Sequence, residues 1–471
     1  MHRPELRVAV IGAGAAGLCA ARHLLEERRA LCSEVAVFEQ SGSVGGIWVY
    51  SEKIGTDEYG VPFNCMYRDL RTNLPKEIMA FPDYAFKSDL PSFVGHSDVK
   101  EYLESYADHF KIRKHIQFHT KVELVRPTVS EDGRNKCIWE VTVSNLINKS
   151  TMTEIFDAVL VCSGHYSKPY IPHIPGIEKF KGQVMHSQDY RFPEAFAGKN
   201  VVLLGAGPSG TDIAFELSAI AKAVVLSYSQ LSLPFVLPCN VSLAPGVDHF
   251  LEDRVVFLDG TEQLADIFMF CTGYQLFFPY LSQEVGLQVQ ESIVPPLYKH
   301  IVCANFPSLF FIGMCKKVCP FPHFHCQILF VLSILDGSYV LPSETEMNST
   351  VEEAYKSFMS HGTSLRHFHT LGNLQWDYHD DLAHLGKFSP LPAFIQSIYC
   401  AVKESRAKDF ASYKNDNYRV ISDGEWLLDV KNDLETAGSH YRKTHSASHF
   451  LLMTDFMHWF DMVFCQPPAL F

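Results

Sequence analysis

The 471 residues are enough for two to three domains, and 47% apolar with 20% charged residues describes a chain able to bury a large core. A net charge of −13, from 40 Lys and Arg against 53 Asp and Glu, argues against nucleic acid as the main partner, because neutralising phosphates needs a basic surface. Thirteen scattered cysteines without a CxxC pair read as reduced thiols in the cytoplasm and not as a disulfide framework.

Arg7 to Ile11 reads as a buried strand. Too few residues precede it for a secretory leader, so the sequons at Asn148, Asn240 and Asn348 are expected to be chance matches. Ala15 to Arg28 follows with helical spacing, Leu18, Ala21 and Leu25 sharing a face. Glu34 to Glu39 is then a second strand, and the βαβ order implies parallel strands with a right-handed crossover. Ile138 to Val143 alternates like a half-exposed strand, and Phe156 to Cys162 is a buried-strand run ending in Ser-Gly. The first pattern returns as strand Asn200–Leu204, helix Ser209–Ala221 and strand Ala223–Ser227. Another buried run, Asp266 to Cys271, ends in Thr-Gly-Tyr. The nested order predicts an α/β chain with two dinucleotide-binding, Rossmann-like domains, the smaller inserted into the larger. The expected boundaries are 1–170 and 281–471 for the larger domain and 171–280 for the insert. The tail from about 330 is expected to be helical. Phe450 to Phe464 comes closest to the ~18 apolar residues of a membrane span, but Asp455, His458 and Asp461 interrupt it. It is read as a docked helix, and no transmembrane anchor is expected.

Gly12-x-Gly14-x-x-Gly17 sits between a strand and a helix. The first glycine permits the tight turn, the second lets a pyrophosphate approach the backbone, and the third lets helix and strand pack closely. The helix N-terminus offers unpaired N–H groups to phosphate. Glu39 ends the second strand, where an acid accepts hydrogen bonds from a ribose diol. Gly45-Gly46-Ile47-Trp48 follows, close-approach glycines beside a large aromatic, and points to FAD. The second fingerprint is Gly205-x-Gly207-x-Ser209-Gly210. The positions matching Glu39 are Ser227 and Tyr228, without an acid to repel a 2′-phosphate, which permits NADP(H). The arginine expected for that phosphate is absent from Ser227-Tyr228-Ser229-Gln230.

Between the fingerprints stands Phe180-Lys181-Gly182-Gln183-Val184-Met185-His186-Ser187-Gln188-Asp189-Tyr190, which resembles the FxGxxxHxxxY signature of the flavin-containing monooxygenases. Tyr67 to Glu77, around Thr72-Asn73, is similar to that family's active-site segment. Cys271 to Tyr274 and Pro307 to Gly313 are similar to its later motifs. The resemblance covers roughly residues 5 to 390. It is strongest to the short branch that includes plant glucosinolate S-oxygenases and insect alkaloid N-oxygenases, without the apolar anchor of mammalian members. Baeyer–Villiger relatives carry Trp-Pro or Trp-Asp where this chain has Tyr190-Arg191, and disulfide reductases need a cysteine pair near the flavin.

The resemblance implies a cycle in which NADPH reduces FAD, O2 adds at the flavin C4a, and a small-molecule amine or thioether takes the distal oxygen. It implies Asn73 as the active-site amide, able to donate to peroxide without becoming charged. It also implies a flavin-facing Gln327. His186 and Tyr190 are expected to fix the linker between domains. The expected cofactor-contacting set is Gly12, Gly14, Ala16, Gly17, Glu39, Gly46, Ile47, Trp48, Thr72, Asn73, Leu74, Val122, Gly205, Gly207, Ser209, Gly210, Thr272 and Gln327. Cys315, Cys319, His323, His325 and Cys326 concentrate soft ligands, but Pro320, Phe321, Pro322 and Phe324 interrupt them without zinc spacing, so no metal is expected. A different class also fits the residues: an NAD(P)H oxidase-like flavoprotein releasing H2O2, or a non-oxygenating flavin-binding protein. The missing arginine and the unusual 230–250 stretch motivate it. A homo-oligomer is compatible with the sequence, which carries no motif for or against one.

Overall fold

A computed structural model describes residues 6–26, 32–129, 137–228, 233–287, 294, 296–360, 362, 365–430 and 441–446. The apolar run from Phe450 to Phe464 lies outside the described residues, as do Ser229 and Gln230.

Five strands run parallel in the first sheet: Ile116–Gln117, Cys32–Phe38, Leu6–Ile11, Ala158–Val161 and Leu309–Phe311, in that spatial order. Val302–Cys303 and Leu297–Tyr298 extend the sheet antiparallel. A parallel strand buried on both faces must be apolar throughout, and its alternate residues enter different cores. Val8 and Val10 join Val35, Val37 and Leu160 on one face, under the helices Ala15–Glu26, His96–His109 and Pro320–Leu335. Ala9 and Ile11 join Ala36, Phe38, Val159 and Val161 on the other. That face is closed by an antiparallel sheet, Thr120–Val129, Cys137–Asn145 and Thr151–Phe156, which supplies Trp139, Val141, Val143 and Phe156.

The second sheet repeats the plan at smaller scale. Its strands Val241–Ala244, Ala223–Ser227, Asn200–Leu204, Ile267–Phe270 and Gln183–His186 are all parallel. Val201, Leu203, Val224, Leu226 and Met269 pack with residues of the helix Pro208–Ser218. Val202, Val225, Phe268 and Phe270 pack with the antiparallel strands Val247–Phe250 and Arg254–Phe257. All of its strands lie within 183–270, whereas the first sheet draws on 6–161 and 297–311. The two chain passages between the units, Lys168–Pro169 and Tyr274–Gln275, pair antiparallel. One Rossmann-like domain is therefore inserted into another.

Two elements depart from expectation. The run Phe156 to Cys162 is split: Phe156 ends the antiparallel sheet, and the parallel strand starts at Ala158. Asp157 makes the break, its carboxylate accepting from Arg7 N at 2.9 Å. The tail is not wholly helical. After Glu344–Ser360, Gln375–Gly386 and Ala393–Lys408 it forms an antiparallel sheet of Asn417–Ser422, Glu425–Val430 and Tyr441–Ser446.

Strand and helix approach so closely at the two turns that side chains are excluded. A Cβ on Gly17 would lie 1.8 Å from Gly12 O, and one on Gly210 would lie 1.9 Å from Gly205 O. Both obstacles are backbone and cannot swing away. Gly17→Ala is expected to destabilise the protein by more than ~3 kcal/mol through backbone displacement in a packed core. Denaturant unfolding of the purified variant checks this; a midpoint within error of wild type contradicts it.

Candidate dinucleotide and oxygenation site

The first turn shows why each glycine is there. Gly12 has φ +103, and its Cβ would meet Cys162 O at 2.8 Å. Gly17 is excluded by Gly12 O. Gly14 is different: its nearest neighbour would be Gly46 Cα at 3.5 Å, an ordinary contact, and its φ is not positive. The second turn repeats the division. Gly205, with φ +112, faces Cys271 O at 2.6 Å, Gly210 faces Gly205 O, and Gly207 has nothing within 4 Å. The fold itself needs the outer glycines. The middle ones leave backbone open for an outside group, which is the requirement of a pyrophosphate at a helix N-terminus. Both sites therefore fit a dinucleotide.

The structure brings Glu39, Ala16 and the Gly45–Trp48 turn to the first glycine loop. Glu39 is buried, and Oε2 accepts from Ala13 N at 2.8 Å while Oε1 accepts from Ser41 N at 2.8 Å. Its remaining lone pairs suit a ribose diol. Gly45 N donates to Ala13 O at 3.1 Å, and Asn64 Nδ2 donates to Gly46 O at 2.8 Å. Ile47 and Trp48 complete that 3-10 turn, with Trp48 half-buried against the core. Thr120 N donates to Glu39 O at 2.8 Å, and Val122, two residues on, packs in the core with Ala36 and Phe38. At the second turn Ser209 is exposed in the first turn of its helix. Ser227, matching Glu39, is fully buried and donates to Pro245 O at 2.6 Å.

Two expected cofactor residues have their polar groups engaged by protein. Gln327 is fully buried; Oε1 accepts from Gly313 N at 2.9 Å and Nε2 donates to Tyr378 Oη at 3.0 Å. Its amide thus holds the Gly313 turn. Thr272 Oγ1 donates to Tyr170 O, the linker between domains. His186 acts on the same linker. Nδ1 accepts from Gln188 N at 3.0 Å, so the proton is on Nε2 and goes to Gly273 O at 3.1 Å. Burial holds this imidazole below its ordinary pKa. Tyr190 packs edge-on against Tyr67, ring centroids 5.4 Å apart.

Residues 67–74 run through the junction of the two domains. Tyr67 and Leu70 belong to the core of the inserted domain, and Leu74 to a cluster containing Phe93, Tyr413 and Trp426. Thr72 is buried, its N–H donating to Val94 O at 2.9 Å. Thr72 Oγ1 is buried without a partner. Asn73 is half-buried, and Oδ1 accepts from Tyr413 Oη at 3.4 Å. Sequence reasoning did not single out Tyr413, Lys414 or Asn64, and the residues around them carry no motif.

The soft-ligand stretch is taken apart by its helix. His323 Nδ1 faces His379 Nε2 at 2.9 Å, while His325 turns to His23, Nδ1 to Nε2 at 3.1 Å. Ligand atoms of Cys19, His23 and His325 do come within 4.8 Å of one another. However, Arg22 Nη1 donates to His23 Nδ1 at 3.0 Å. The His23 proton therefore sits on Nε2, leaving no lone pair there for a metal. Burial also pushes the Cys19 thiol well up, away from the thiolate a metal needs.

Residues 5–235 and 231–436 match the family described as flavin-binding monooxygenase-like. The chain is 34% identical to flavin-containing monooxygenase FMO GS-OX-like 4 of Arabidopsis thaliana, over 88% of this chain and 95% of that one. It is 32% identical to senecionine N-oxygenase of Tyria jacobaeae, covering 89% and 91%. Its fold superposes on S-allyl-L-cysteine S-oxygenase from Allium sativum with a TM-score of 0.80 and 33% identity, covering 88% and 96%. The chain belongs to the flavin-binding monooxygenase-like family, and it is an oxidoreductase of the flavin-containing monooxygenase kind. Among the described residues no helix is long and apolar enough to cross a membrane.

Beside this junction lies a cavity of about 190 Å³, bounded by Tyr67, Asp69, Arg71, Asp212, Glu216 and Lys414. Burial, with repulsion from Asp69, pushes Glu216 up to about 7. The unfolded value is ~4.3, so the folded state binds this proton more tightly. Stability from this group is complete at low pH and is lost as pH rises toward and through 7. Glu216→Gln should melt close to wild type near pH ~5 and progressively above it toward pH ~8. A difference in melting temperature that stays constant with pH contradicts this.

Proposed function

We propose that the chain is an FAD-dependent, NADPH-consuming monooxygenase that places one oxygen atom on soft nucleophilic nitrogen or sulfur in small molecules. The carrying observation is the division of labour at the two glycine turns: Gly14 and Gly207 are free of the backbone contacts that fix their neighbours. Relatives named for sulfur and for nitrogen oxygenation match this chain to a similar degree, which supports tertiary amines and thioethers together as the substrate class.

Reduced FAD supplies activated oxygen when bound. The chain holds and orients it. Gly12, Gly14, Ala16 and Gly17 receive its pyrophosphate at a helix N-terminus, and Glu39, with Val122, takes the ribose. Gly46, Ile47, Trp48, Thr72, Asn73 and Leu74 would hold its flavin end. Gly205, Gly207, Ser209 and Gly210 receive NADPH, and the absence of a carboxylate at Ser227 supports the phosphorylated cofactor. Gln327 and Thr272 act as positioning residues through Gly313 and Tyr170. Asn73 offers an amide donor to the developing oxygen charge without titrating. We take 171–280 as the nicotinamide domain between the flavin-domain segments 1–170 and 281–471. None of the described cysteines is paired in a disulfide, which supports the cytoplasm as the compartment.

Asn73→Ser is expected to keep bound flavin and its rate of reduction by NADPH, while oxygenated product falls by ~100-fold and H2O2 replaces it. Stopped-flow reduction with parallel product and peroxide assays checks this. Retained S-oxygenation in the variant contradicts the role of Asn73. A wild-type enzyme that turns all its NADPH into H2O2 makes the chain an oxidase instead.

A further inference from the structure

The Arg71–Asn73 segment is anchored from two sides: Phe93 O and Val94 O accept from Arg71 Nε at 3.2 Å and Thr72 N at 2.9 Å, and the 3-10 turn Tyr413–Asn415, far along the chain, holds it from the other side. Arg71 Nη1 donates to Asn415 Oδ1 at 3.2 Å and Nη2 donates to Lys414 O. In return, Lys414 Nζ donates to Arg71 O at 3.2 Å. The same ammonium pairs with Asp212 Oδ2 at 2.9 Å, on the first helix of the nicotinamide domain, in a setting where both side chains are largely buried. Tyr413 is 2% exposed, with its ring edge-on to Phe93 at 5.4 Å and against Phe410 at 5.7 Å. The turn is thus tied to the flavin domain and the nicotinamide domain at once.

The phenol has one proton to give, and Asn73 Oδ1 is its acceptor at 3.4 Å. A buried hydroxyl that gives up its acceptor forfeits its hydrogen bond without gaining water. The carbonyl edge of the Asn73 amide therefore faces Tyr413, and Nδ2 faces the other way, with no acceptor among the described residues. The contact is long for an O–H···O bond, as hydrogen bonds of a catalytic site are before substrate and cofactor tighten them. Burial pushes the Tyr413 phenol further above its ordinary pKa, so it stays a donor throughout the working pH range.

We infer that Tyr413 is a positioning residue for oxygenation: its hydroxyl pins Asn73 Oδ1 and so presents Nδ2 to the oxygen carried by the flavin. The inference rests on the role proposed for Asn73. Lys414 makes the arrangement depend on a docked nicotinamide domain, because its bridge to Asp212 and its bond to Arg71 O hold the turn in place.

Tyr413→Phe removes the hydroxyl and keeps the ring. Four measurements read the result: the flavin content, the rate of flavin reduction by NADPH, the lifetime of the oxygenated-flavin absorbance, and a crystal structure of the variant. Reduction and flavin content should match wild type. The lifetime should shorten by roughly tenfold, equivalent to ~1.4 kcal/mol of barrier, and the Asn73 amide should lose its fixed orientation. In an Asn73→Ser background the same substitution should add nothing, as expected for residues acting through one another. Lys414→Met should shorten the lifetime in the same sense. The role is overturned if Tyr413→Phe keeps the wild-type lifetime, if reduction slows in parallel with it, or if Tyr413→Phe and Asn73→Ser add independently. A wild-type enzyme without the transient overturns the proposed function and this inference together; a wild-type transient unchanged by Tyr413→Phe overturns this inference alone.

Discussion

The whole structure depends on one steric constraint, used twice: a helix that begins within van der Waals contact of the strand before it. Gly17 against Gly12 O, and Gly210 against Gly205 O, leave no volume for a Cβ. That approach fixes where each helix N-terminus points, and hence where phosphate is received. It also separates two kinds of glycine by physics alone. Gly12, Gly17, Gly205 and Gly210 are required by backbone that is present. Gly14 and Gly207 are not, and their bareness makes sense when a ligand is to approach them.

The second organising feature is the crossing of 67–74 between the domains. Tyr67 is core to the inserted domain, Thr72 is bonded to the flavin domain at Val94, and Asn73 is reached by Tyr413 from the C-terminal part. In the role proposed for Asn73, an amide beside two cofactors gains from a segment held by both domains. The buried His186 and Arg191 reinforce the junction: His186 bonds Gly273 O, and Arg191 donates to Lys53 O and Gln188 O. The signature around Tyr190 thus contributes hydrogen bonds that tie the linker to both domains.

What was legible in the sequence was local. The two strand–turn–helix units and Glu39 follow from patterns within about 30 residues, where one contact implies the next. The insertion was legible because the pattern returned before the first sheet was complete. Contacts that depend on distant pairing were not. Tyr413 meets Asn73 from 340 residues away, with no motif around Tyr413 to announce it. The break at Asp157 was hidden inside a continuous apolar run, since apolarity marks burial and not which sheet a residue enters. The strands from Asn417 onward stood in a segment judged by its helical neighbours. The resemblance implies Gln327 at the flavin, and its bonds to Gly313 and Tyr378 depend on pairings no local pattern encodes.

The most direct test of the central claim follows the oxygen itself. The purified protein is supplied with FAD, NADPH and isotopically heavy O2, together with a thioether or a tertiary amine. The account predicts heavy sulfoxide or N-oxide, with one labelled oxygen atom per NADPH consumed and the other recovered in water. NADPH consumption that yields labelled hydrogen peroxide and leaves both substrates unlabelled would contradict it.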